Sequence, residues 1–239
     1  MPVKPSASAI APVPAHDDPR SLRRFEDERF LTGQGRYLDD DVVRGALHAM
    51  VLRSPHAHAA ILSIDTEAAR SLPGVYAVYT AADLAELGPL PCSLAVVGEA
   101  PLIVPPRLPL AHERARHVGD PVAFVVADTV DLAREASELI AVDYDILPSV
   151  TELALAAEPD APEIWPEAPG NLALRYRLGD EATVAAAFEQ AAHVVSCRVV
   201  NNRIVAAALE PRAALGRFDK ASGRYRLSLS GASVHDIRR

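Results

Sequence analysis

Apolar and polar positions along this chain fall into strand and helix rhythms that can be read in turn. Residues 122–127 (VAFVVA) are an unbroken apolar run with β-branched and aromatic members. That composition suits a strand covered on both faces. Asp128 and Thr129 follow, with side-chain oxygens able to accept from the free N–H groups of a helix start. Leu132, Ala133, Ala136, Leu139 and Ile140 then recur at helical spacing as one apolar stripe, with Arg134, Glu135 and Glu138 off it. Residues 142–145 alternate apolar and acidic, as a half-buried strand does, and Pro148 ends them. Strand, helix and strand with short joins predict a compact α/β unit around which the rest of the chain is arranged.

The same reading extends along the chain. Residues 45–64 carry strand alternation, with Leu47, Ala49 and Val51 on one side and Ile61 and Ile64 later; Pro55 divides them into two strands or a bulged edge. Residues 65–72 predict a short helix capped by Asp65 or Thr66 and stopped by Pro73-Gly74. A strand follows over 75–79, and Thr80-x-x-Asp83 has the form of a capping box. Residues 88–109 are proline-rich and aperiodic, a long ordered loop of the kind that often meets a partner or a site. Residues 151–174 form a stiff connector with Pro159, Pro162, Pro166 and Pro169, and the single tryptophan, Trp165, is placed to pin it to a surface. After it the pattern restarts. Asp180 caps a helix with the stripe Val184, Ala187, Phe188 and Ala191, residues 194–200 read as a strand, and residues 216–229 as a hairpin about Lys220-Ala221-Ser222-Gly223, with Tyr225, Leu227 and Leu229 on one face. These last elements leave open edges and exposed apolar faces.

Composition narrows the classes. With 239 residues and 49% hydrophobic content, one large or two small globular domains are expected. The formal charge of −8 argues against a nucleic-acid binder, which usually presents a basic face. Residues 1–24 are rich in Pro, Ala and Ser and read as a disordered leader. They hold no apolar run of signal-peptide length, and Arg23-Arg24 is followed by charged residues rather than by the apolar stretch a twin-arginine signal needs. No stretch is long and apolar enough to span a bilayer. Cys92 and Cys197 are too few for an iron–sulfur cluster and read as free thiols in a cytoplasmic protein.

Candidate chemistry is sparse. Gly33-x-Gly35 lacks the third glycine of a dinucleotide fingerprint, since Leu38 stands there, and reads as a turn before an acidic loop. His56 and His58 would share a face if extended, with His48 near in sequence. Structural histidines are favoured over a metal site, which would need further ligands in reach. No Gly-x-Ser-x-Gly elbow and no phosphate-cradling Gly-x4-Gly-Lys loop occurs.

Several short stretches together carry a resemblance. They are RFLTGQGRYLDD at 29–40, RSPHAHA at 53–59, LPGV at 72–75, VGDPVA at 118–123, VDY at 142–144 with Leu147-Pro148, and Asn202-Arg203 with Glu210-Pro211-Arg212. Their order and spacing resemble the N-terminal part of the molybdenum-binding large subunit of the xanthine dehydrogenase, aldehyde oxidase and carbon monoxide dehydrogenase family. The resemblance implies an α/β fold class. An α+β hammerhead domain over 25–150 is followed, after the connector 151–174, by the incomplete start of a second α/β domain over 175–239 that binds molybdopterin.

The resemblance also implies that the pterin-binding loops, the molybdenum ligands and the glutamate base lie in sequence beyond these residues. No catalytic residue and no metal ligand is therefore assigned here. The family's Ser-x-Gln-x-Pro-His reads here as Ser230-Gly231-Ala232-Ser233-Val234-His235. Ala232 stands in place of the glutamine and cannot donate its hydrogen bond. At most Gly231 and Ala232 reach the edge of a molybdopterin site that a second polypeptide would mostly build. The expected role is structural, shaping a substrate funnel and an interface in a split molybdenum hydroxylase with iron–sulfur and FAD subunits. Two alternatives stay open: a non-catalytic truncated relic, and an independent binding module that reuses the fold.

Overall fold

The computed structural model describes residues 24–41, 43–94, 100–202, 204–205, 207–231, 235 and 237. The expected leader, apart from its last residue, and Ala232 lie outside these residues. In chain order the elements are α1 (Asp27–Leu31), β1 (His48–Arg53), β2 (Ala59–Asp65), α2 (Glu67–Arg70), β3 (Val75–Tyr79), β4 (Arg114–Ala115), β5 (Pro121–Ala127), α3 (Val130–Glu138), β6 (Ala141–Ile146), α4 (Glu181–Gln190), β7 (Ala214–Asp219) and β8 (Arg224–Leu229). The chain forms two units, one over Gly45–Val199 and one from Met1–Arg44 with Val200–Arg239.

In the larger unit β5 is the middle strand of a sheet ordered β1-β5-β3, and both pairings are antiparallel. Its apolar run is buried or half-buried throughout, as a strand covered on both faces requires. Ala123, Val125 and Ala127 cluster with Ala133, Ala136 and Ile140 beyond the sheet, and with Ala69 and Val78. So many alanines let α3 lie close on the strands, and Met50, Leu52, Leu72, Leu132 and Val142 close the edges of the cluster. The helix starts where expected: the Leu132 N–H donates to Thr129 Oγ1 at 3.2 Å.

The second sheet is ordered β4-β2-β6, again antiparallel. The strand–helix–strand unit thus joins two sheets, with β5 in one and β6 in the other. Pro55 lies in the break between β1 and β2, which also belong to different sheets. Gly74 makes the approach of β3 to α3 feasible. Its φ is +88°, and a Cβ there would lie 2.8 Å from Leu132 Cδ2 and 2.9 Å from Asp128 Oδ2. The Asp128 N–H donates to the Gly74 carbonyl at 3.0 Å across the same contact.

Residues 151–174 are held as a strap by two side chains. Asn171 donates to the carbonyls of Ala156 and Pro162 and accepts from the Ile164 N–H, each within 3.0 Å. Arg116 lies 3.8 Å from the centroid of the Trp165 ring and donates from Nε to the Ile164 carbonyl. Burial, followed by the neighbouring Arg114 charge, pulls the Arg116 guanidinium below its ordinary pKa.

On β1 Met50 and Leu52 join the main cluster, and Val51 lines the other side of the sheet with Phe124 and Tyr79, its neighbours in register. Three expectations are corrected. Leu139, at the C-cap of α3, is exposed, and Ser137 in the last turn is buried. α4 forms with Asp180 as its cap, but Val184 and Phe188 face solvent, so its stripe has no core among the described residues. Residues 194–200 form no strand: Val195 and Val199 are 90% and 82% exposed, and a strand without a hydrogen-bonding neighbour has no ladder to hold it.

Candidate functional site

The smaller unit carries the residues expected at a cofactor's edge. β7 and β8 form the predicted hairpin, paired from Ala214↔Leu229 to Asp219↔Arg224. Its turn is tied by Asp219, whose carboxylate accepts from the Ala221 N–H and the Ser222 hydroxyl, and Gly223 supplies a φ of +65°. Those two residues hold the Asp219 carboxyl below its ordinary pKa, with the Ser222 hydroxyl the larger cause. Phe218 and Tyr225 sit opposite each other with ring centroids 4.6 Å apart.

Beside β8 lies a groove of about 930 Å³. Its walls are Tyr225, Leu227 and Leu229 from the strand, Ser230 and Gly231 just beyond it, and a facing segment that runs from Arg36 to Asp41. That segment holds a single 3₁₀ turn, Leu38–Asp40, capped by Asp40 accepting from the Tyr37 N–H at 2.8 Å. Glu210 joins the two walls, accepting from the Leu38 N–H at 3.1 Å. Ser230 anchors the exit of β8, since its N–H donates to the Ala213 carbonyl and its Oγ accepts from the Ala213 N–H.

Gly231 lines the groove, while Ala232 lies outside the described residues. A Cβ there would stand 2.8 Å from Leu229 Cδ1, the end of a side chain that would have to shift. Glu210, Arg36 and Asp41 were not singled out as site residues. Both of their motifs, Glu210-Pro211-Arg212 and 29–40, stand apart in the sequence, and only the fold makes them neighbours across the groove.

The chemistry of the described lining does not fit a phosphate-bearing pterin by itself. Among the described residues its charged groups are Arg36, Asp41 and Glu210, and Arg36 is ion-paired with Asp41. The balance is acidic, whereas phosphate recognition calls for cations or converging N–H groups.

His56 and His58 each have a structural contact, although the second ring nitrogen of His58, Nε2, is buried without a hydrogen-bond partner. His58 is buried and its Nδ1–H donates to the Pro148 carbonyl at 2.7 Å, tying β2 to the end of β6. His56 packs edge-on against Tyr144 at 4.9 Å, and Tyr144 is pushed above its ordinary pKa chiefly by burial. Among the described residues no His, Cys, Asp and Glu side chains gather as a metal site, and Cys92 and Cys197 are free and exposed. No helix among them is long and apolar enough to cross a membrane.

Residues 32–148 match the aldehyde oxidase and xanthine dehydrogenase a/b hammerhead domain, and residues 164–239 match the molybdopterin cofactor-binding domain. The chain belongs to the xanthine dehydrogenase, aldehyde oxidase and carbon monoxide dehydrogenase family. It is 35% identical over 222 residues to the nicotine 6-hydroxylase large subunit of Paenarthrobacter nicotinovorans, which covers 92% of this chain and 26% of that one. It is 36% identical over 228 residues to the carbon monoxide dehydrogenase large chain of Afipia carboxidovorans, covering 90% and 27%. Reconstituted CO dehydrogenase from Oligotropha carboxidovorans superposes with a TM-score of 0.69 at 36% identity, over 86% of this chain and 26% of that one. The chain thus spans about a quarter of the length of the curated relatives it matches. As a family member it comprises the hammerhead fold and the opening of the molybdopterin-binding domain.

Proposed function

We propose that this chain is the N-terminal, structural part of a molybdenum hydroxylase large subunit, acting in the cytoplasm. The hammerhead unit shapes the substrate funnel and an interface, and residues 175–239 begin the wall of the cofactor site. The remainder of a large subunit supplies the pterin-binding loops, the molybdenum ligands and the base. The assembled enzyme hydroxylates or oxidises a small organic substrate with oxygen from water, and electrons leave through iron–sulfur and FAD subunits. The observation that carries this is the hammerhead match over 32–148 followed by the molybdopterin-domain match over 164–239 along one chain, in line with large subunits from hydroxylases and dehydrogenases. The acidic groove supports a supporting rather than a cofactor-holding role.

A second reading, an independent binding module, draws on the self-contained core of the larger unit. Affinity purification of the tagged chain from its native host separates the two. The first reading predicts that the rest of the molybdopterin-binding domain is recovered with the chain, together with flavin and iron. Recovery of the chain without them supports the second.

A further inference from the structure

The hairpin β7–β8 has a free edge whose direction the hydrogen bonds fix. The Ser230 N–H points inward, to the Ala213 carbonyl. The register from Ala214↔Leu229 to Asp219↔Arg224 runs without a shift, so the alternation of an antiparallel pair continues along β8. Arg224, Arg226 and Ser228 also point their N–H groups inward, and Tyr225, Leu227 and Leu229 point theirs outward. The closeness of the Phe218 and Tyr225 rings agrees, because side chains approach most closely at pairs that do not exchange hydrogen bonds.

The groove lies along this edge. From the hairpin it takes residues of β8 alone, and from both faces of that strand: Ser228 as well as Leu227 and Leu229. A cavity over a sheet face would be walled by both strands. Tyr225 and Leu227 are 84% and 58% exposed there, and among the described residues no strand pairs with this apolar edge, of the kind that sheets normally cover.

We propose that β8 is completed by strand addition: an extended segment from the remainder of the large subunit lies in the groove and pairs with the outward amides and carbonyls of Tyr225, Leu227 and Leu229. The relatives carry about three quarters of their length beyond the part this chain matches, which is where such a segment resides. The groove suits it, with a polar rim of Arg36, Asp41 and Glu210 around an apolar floor. This rests on the proposed function, since the occupant belongs to that subunit.

The test is hydrogen exchange on the full chain, free and in the complex purified from the native host, with two variants. Leu227→Pro removes an outward N–H and leaves the inward ladder of the hairpin in place. Leu227→Ala trims the side chain and keeps the N–H. Strand addition predicts that the amides of Tyr225, Leu227 and Leu229 exchange about tenfold or more slowly in the complex. It also predicts that Leu227→Pro loses this protection at Tyr225 and Leu229 while Leu227→Ala keeps it. If the complex forms but those amides exchange as in the free chain, or Leu227→Pro keeps the protection in full, strand addition is wrong and the proposed function stands. If the rest of the molybdopterin-binding domain is not recovered with the wild-type chain, both fail together.

Discussion

Glu210 accepts a hydrogen bond from the Leu38 N–H at 3.1 Å, closing a contact between residues 172 positions apart. It is a charge-assisted bond at the end of a 3₁₀ turn, where a free N–H otherwise goes unmet. Glu210→Ala is expected to cost about 1 kcal/mol locally, and Glu210→Gln, which keeps an oxygen acceptor, about half of that. Exchange at the Leu38 amide checks this: it quickens about fivefold in the alanine variant and less in the glutamine variant.

The strap offers a second prediction. Arg116 stacks on Trp165 and also reaches the Ile164 carbonyl, a geometry a planar guanidinium meets and an ammonium does not. Trp165→Ala and Arg116→Lys should each loosen residues 151–174, by about 1–2 kcal/mol for the tryptophan and about 1 kcal/mol for the lysine. Limited proteolysis reads this as earlier cleavage within 151–174, with the β1-β5-β3 sheet still protected.

Val125 is fully buried on the middle strand of the main sheet, opposite Met50 and Val78. Val125→Ala is expected to destabilise the larger unit by about 2 kcal/mol, through lost burial and the cavity left behind. Thr129→Ala, which removes the cap of α3, should cost about 1 kcal/mol. Thermal unfolding of both variants tests the order.

Much of this architecture was legible in the residues. Strong local signals gave the right elements: the apolar run of β5, the caps at Thr129 and Asp180, and the Thr80-x-x-Asp83 box before the 3₁₀ helix Ala81–Leu87. What pattern alone does not carry is partnership. Alternation in β1 cannot say which face meets α3, because both faces of that sheet are apolar, and the main cluster took Met50 and Leu52. Residues 194–200 have strand composition, yet pairing needs a neighbour that composition does not supply. The groove was hidden for the same reason: Gly231 was in view, but Glu210 and Arg36 become its walls only through long-range contacts.

Acid should reach the Thr80–Asp83 box. Asp83 is held below the ordinary carboxylate pKa, first by the Thr80 N–H at 2.7 Å, with smaller help from the Thr80 hydroxyl and Arg70. A carboxylate with a depressed folded pKa contributes stability that is fully present above its unfolded value, about 3.9, and is lost as pH falls through the folded value. The group is well exposed, so solvent screening keeps the effect to about 0.5 kcal/mol. Wild type and Asp83→Asn should therefore differ by about that much in urea midpoints at neutral pH and converge below pH ~4. A gap that persists undiminished in acid would assign the effect to something other than the charge.

The molybdenum content of the chain purified with its partners from the native host bears most directly on the whole account. Membership in a working large subunit predicts about one molybdenum per copy of this chain, held together with the rest of the molybdopterin-binding domain. A monomer free of molybdenum, with the edge of β8 covered by the chain's own residues, would contradict it.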